Sequence, residues 1–62
     1  MNGAKLRRLR KQHGYNIVRL AKMLGVSVGS ISEWENNIKE PRKRNRGSIC
    51  FLFNIEEYEL FI

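Results

Sequence analysis

Sixty-two residues amount to one domain, near the lower limit at which a single core holds without disulfides or metals, and leave no room for a second. Twelve Lys and Arg against six acidic residues give a net charge of +6 and a pI near 10.1, so a polyanion, either nucleic acid or an anionic membrane, is the favoured partner. No run approaches the ~18 apolar residues of a membrane span. The opening MNGAKLRRLR lacks the apolar stretch of a signal peptide, which points to the cytoplasm. Asn2 can cap a first helix running to about His13, with Leu6 and Leu9 inward and Lys5, Arg7, Arg8 and Lys11 outward. Its apolar face is too narrow for a membrane-surface helix. Gly14 closes this helix, and Asn16 caps a second, IVRLAKML, in which Ile17, Leu20, Ala21 and Leu24 recur at helical spacing up to Gly25.

Val26 is the apolar residue of the next turn, and Ser27 caps a third helix from Val28 to about Asn37, with Ile31 and Trp34 turned inward. IKEPRKRNRGS then reads as a polar, basic connection broken at Pro41, after which helix resumes near Asn45 or Arg46 and takes in Ile49, Cys50, Leu52 and Phe53. A lone Cys50 within SICFLF excludes an internal disulfide and reads as a buried structural thiol. Asn54 stops this helix, and IEEYELFI forms a short final one with Ile55 and Leu60 inward. The expected fold is therefore all-α, a compact bundle of about five short helices in one domain spanning residues 1–62. Charge is divided along it: residues 1–46 hold every basic residue and carry +9, whereas 47–62 hold Glu56, Glu57 and Glu59 and carry −3. His13 has no second histidine or cysteine at ligand spacing, and no nucleophile–base pair is evident. No metal, cofactor, small-molecule substrate or enzymatic activity is expected.

The stretch GYNIVRLAKMLGVSVGSISEWENNIKEP resembles the helix-turn-helix of phage repressor and Cro proteins, the lambda-repressor-like DNA-binding domains. Leu20, Ala21, Leu24, Gly25, Val26, Ser27, Ile31, Ser32, Trp34, Glu35 and Pro41 carry the likeness at fixed offsets. The offsets also have a chemical logic: Ala21 is small where two helices cross, Gly25 can take the left-handed angle, and Val26 fills the angle between helices. The resemblance implies a transcriptional regulator that places the outer face of the third helix (Ser27, Val28, Gly29, Ser30, Ser32 and Glu33) in the major groove of double-stranded DNA. It implies phosphate contacts from Asn16, Ile17, Asn36, Lys39, Arg42 and Arg44, with Lys43 and Arg46 along the same backbone, and an ion pair between Arg10 and Glu35.

Three departures from the family pattern stand out. Ile17 replaces a usual Gln, so it offers only its backbone N–H to a phosphate; Lys43 and Arg46 replace aliphatic residues and loosen the start of the fourth helix; and Phe51 stands where a polar residue is usual. Val28 and Gly29 cannot hydrogen-bond through their side chains. They either touch a thymine methyl and admit close approach, or leave specificity to phosphate placement and DNA shape. Glu33 can accept from cytosine N4, or act as a charge that rejects wrong sites or pairs with Lys or Arg. Phe51, Tyr58, Phe61 and Ile62 exceed what so small a core needs and mark either a cover for the weak fourth helix or a homodimer face. The rival reading is a protein-interaction module of the same fold, an antitoxin or regulatory subunit with weak DNA contact.

Overall fold

The structure, a computed structural model, describes residues 1–61. Five helices follow one another, α1 (Gly3–Gln12), α2 (Ile17–Leu24), α3 (Val28–Glu35), α4 (Lys43–Phe53) and α5 (Tyr58–Phe61), and no strand occurs among the described residues. Side chains with oxygen acceptors set three of the starts. Asn2 accepts from the Lys5 amide, Asn16 from Arg19 and Ser27 from Ser30, each satisfying an N–H that the helix itself cannot. Gly25, at φ 70°, turns the chain from α2 toward α3 while the Val26 N–H returns to the Ala21 carbonyl at 3.0 Å.

α3 sits between α1 and α2, α4 leans on α2, and α5 leans on α1. The core takes residues from all five helices: Leu6, Leu20, Ala21, Ile31, Trp34, Ile49, Phe53 and Leu60. At the far end of α1, His13 and Tyr15 stack against Phe53, with the His13 ring edge-on at 4.9 Å.

Gly3 marks the closest approach in the fold. A Cβ there would collide with the carbonyl oxygens of Trp34 and Glu35, so α1 begins with bare backbone laid against the end of α3. The Gly3 N–H donates to Asn37 Oδ1 at 3.0 Å, and Asn37 reaches it by adopting a left-handed φ of 58°.

Three boundaries or burials differ from the sequence expectation. α3 ends at Glu35 rather than Asn37, because the Asn36 amide donates back to the Ser32 carbonyl and Asn37 leaves helical angles. α4 starts at Lys43, earlier than Asn45: Pro41 constrains the residue before it, not those after it, and Lys and Arg are good helix formers. The basic run is thus largely the first turn of a helix, and Arg42 supplies no side-chain cap. Cys50 is half-buried, not buried, because α4 turns Ile49 and Phe53 to the core and leaves Cys50 one step off that face. Its thiol is held above the usual range, first by desolvation and then by Glu57, Glu56 and Glu59.

Candidate nucleic-acid interface

With Ile31 and Trp34 anchored beneath, the other side of α3 faces outward. Val28 is 42% exposed and Gly29 is exposed. A Cβ on Gly29 would meet only Ser27 Oγ, at an ordinary 3.8 Å, so the fold itself does not require glycine there. Ser27 Oγ is occupied as the cap and lies 3.0 Å from Ser30 Oγ. Ser32 is half-buried and turns toward α1 and α2. Glu33 lies 3.9 Å from Lys39 Nζ, a long and exposed pairing, while its carbonyl accepts from the Ile38 N–H at 2.8 Å.

Glu35 fixes α3 against α1. Its side chain is 2% exposed and accepts from Arg10 Nε at 2.7 Å and Arg10 Nη2 at 3.1 Å, a two-pronged pair, and from Arg7 Nε at 3.2 Å. Arg10 continues to the Tyr15 carbonyl at 3.1 Å, and Arg7 Nη2 to Asn36 Oδ1 at 3.2 Å. The carboxylate holds the Arg10 guanidinium more firmly protonated than usual. One buried negative charge thereby organises two positive ones, and the cluster keeps a net positive charge at the edge of α3.

That edge opens into a groove of about 460 Å³ between α1, α2 and α3, lined by Arg7, Arg10, Lys11, Asn16, Ile17 and Ser32 among others. Asn16 Oδ1 already accepts from Arg19, so what it presents is the start of α2, where no helix carbonyl can reach the Ile17 and Val18 N–H groups. Such a helix start with basic side chains around it suits an oxyanion.

Arg7 and Lys11 joined this groove without being singled out in the sequence, although their spacing from Arg10 places all three on one side of α1. The basic run beyond α3 is divided. Lys39 and Arg42 share a recess with Ser30 and Glu33, Arg44 faces α2 across from Met23, and Arg46 turns inward, 3.5 Å from Glu57 Oε1 and over the Phe61 ring. Arg46 is therefore engaged at the α4–α5 corner and lies outside the recess of Lys39 and Arg42. Asn36 is committed to Arg7 and Ser32, which reduces what it can offer a phosphate.

Residues 6–59 match the model of a family described as helix-turn-helix, nearly the whole chain. The chain belongs to that family. Within the helix-turn-helix, α2 and α3 are the two helices joined by Gly25, Val26 and Ser27. The chain is also 46% identical over 37 residues to a protein of Thermococcus gammatolerans named, provisionally, an HTH-type transcriptional regulatory protein. The match takes in 60% of this chain and 12% of that relative's length. No solved structure matches the chain significantly.

Of the four apolar residues expected to form a self-association face, Phe51 is 91% and Tyr58 63% exposed. Phe61 is half-buried against the core, and Ile62 lies outside the described residues.

Proposed function

We propose that this helix-turn-helix chain is a sequence-specific, double-stranded DNA-binding transcriptional regulator of the phage-repressor and Cro type. It works in the cytoplasm as a homodimer and lays α3 in the major groove. The observation that carries this reading is the flanking of α3: Ser32 borders the Arg7, Arg10 and Lys11 groove on one side, and Ser30 and Glu33 border Lys39 and Arg42 on the other. Phosphates held on both sides would fix the height and register of the helix between them. The uncapped, basic start of α4 supports the same reading, because Lys43 sits unfavourably at the positive end of a helix until an anion arrives.

In this mechanism Val28 and Gly29 read methyl groups and local shape, and Glu33 is the one acidic side chain able to accept from cytosine N4. Regulation is by occlusion of the bound site.

A salt titration tests it. Neutralising about six to ten phosphates per dimer should cost about 10³- to 10⁵-fold in affinity between 50 and 200 mM salt. Lys11→Ala and Arg42→Ala should weaken all sequences alike, whereas Glu33→Ala should change preference at a single position. Undetectable binding at low salt would overturn the reading and favour a protein-interaction module of the same fold, for which the exposure of Phe51 speaks.

A further inference from the structure

Between α2 and α4 lies an apolar groove of about 690 Å³, lined by Met23, Leu24, Gly47, Phe51 and Leu52 together with Arg44. Two of its features have no purpose within the chain. Gly47 lies inside α4, where glycine weakens a helix, yet its φ is not left-handed and a Cβ there would meet nothing within 4 Å. One turn later Phe51 stands 91% exposed. An open backbone floor beside a projecting aromatic is the form of a socket for another side chain.

Charge says which side chain. Arg44 is the groove's formal charge, and its sequence neighbour Lys43, like Lys22 beside Met23, is exposed and basic. Of the six acidic residues, Glu35 is buried, Glu33 and Glu40 lie at ion-pair distance from Lys39 and the N-terminal amine, and the other three are Glu56, Glu57 and Glu59. Glu57 and Glu59 are engaged by Arg46 and Lys5, whereas Glu56 meets no cation at ion-pair distance among the described residues and flanks the 63%-exposed Tyr58. This segment cannot turn back into its own groove. Leu60 is buried in the core and accepts from the Asn2 N–H at 2.7 Å, which holds α5 on the α1 side.

We infer that the groove receives Glu56 and Tyr58 of a second copy of this chain, and that the second copy's groove receives the same residues in return. Each chain is both socket and plug, so the exchange closes as a two-fold dimer with Arg44 facing Glu56 twice. Stacking one Phe51 face on the other would instead bring two Arg44 side chains together. The inference gives a contact surface to the homodimer of the proposed function, but its test contains no DNA, so either reading can fail alone.

Sedimentation velocity across protein concentration reads the association. Arg44→Glu and Glu56→Arg should each weaken self-association about tenfold or more through like-charge contacts. Mixing the two variants should restore it, because in the mixed dimer both contacts again join opposite charges. Gly47→Ala supplies a separate readout: it should raise the melting temperature of the single chain while weakening the dimer, since the methyl group fills the socket. A mixture that stays dissociated overturns the inference, as does a wild-type chain that remains monomeric to about 1 mM, a result that would assign the groove to an acidic partner of another kind.

Discussion

Glu35 and Arg46 are both charged side chains set against the core, one in the α1–α3 half and one at the α4–α5 corner, and their surroundings differ sharply. Glu35 is saturated: two arginines reach its buried carboxylate with three hydrogen bonds, the shortest at 2.7 Å. Arg46 is under-supplied. Its Nε is buried without a hydrogen bond, its counter-ion Glu57 is 58% exposed at 3.5 Å, and the Phe61 ring lies 5.9 Å from its guanidinium carbon. A buried charge specifies geometry only when all its bonding capacity is met. The half that presents α3 is accordingly braced to one arrangement, and the C-terminal corner is held chiefly by Ile49, Phe53 and Leu60.

Removing the Glu35 carboxylate should produce the largest effect. Glu35→Ala leaves Arg10, whose side chain is 12% exposed, without its partner, and should cost about 3–5 kcal/mol in urea unfolding. Much of the net stability of a chain this short would go with it. Gly3→Ala attacks the same half through backbone and should cost about 1–3 kcal/mol, because neither the Trp34 nor the Glu35 carbonyl can move away without shifting α1 from α3. If Gly3→Ala unfolded like wild type, α1 would have room to shift on α3 and this half would not be braced to one arrangement.

Much of that half is legible in the sequence. Asn2, Asn16 and Ser27 are side chains that cap, Gly25 is a residue that tolerates φ 70°, and Leu6, Leu20, Ala21, Ile31 and Trp34 fall at helical spacing, so local chemistry and periodicity agree. What escapes is long-range. Gly3 looks like any residue in a first helical turn, and only the placement of α3 reveals why it lacks a side chain; its bond to Asn37 spans 34 positions. Arg7 and Arg10 are three apart on α1, and nothing local says that one carboxylate serves both. The same limit hid the start of α4, where a basic run that reads as a loop has good helix propensity once α2 supports it. It also hid Cys50, because an apolar run does not show which of its members a helix turns inward.

The contrast between the two charges can be sharpened by one pair of identical substitutions. Arg10→Met leaves the buried Glu35 carboxylate with only the more exposed Arg7 and should cost several kcal/mol, approaching what Glu35→Ala costs. Arg46→Met removes an unmet buried donor, keeps the length of the stem over Phe61, and exposes Glu57 to water it already meets. It should change stability by less than about 1 kcal/mol, in either direction. Equal losses at both positions in matched urea titrations would mean that Arg46 is as well satisfied as Arg10.

The smallest effect concerns Cys50, which probes the acidic side of the same corner. Desolvation and the three glutamates raise its pKa, so the folded chain holds the thiol proton more tightly than the unfolded chain does. The stabilising contribution is therefore complete below the unfolded thiol's pKa and is lost as pH rises through that value toward the folded one. Alkylation follows the thiolate, so the folded chain should react more slowly than urea-unfolded chain at mildly alkaline pH, and its rate profile should turn upward at higher pH. Because Glu57 is the largest of the charge contributions, Glu57→Gln should move that profile toward lower pH without reaching the unfolded one, since desolvation, the leading cause, remains. A profile unmoved by Glu57→Gln would detach the thiol from the acidic segment and leave burial alone to account for its behaviour.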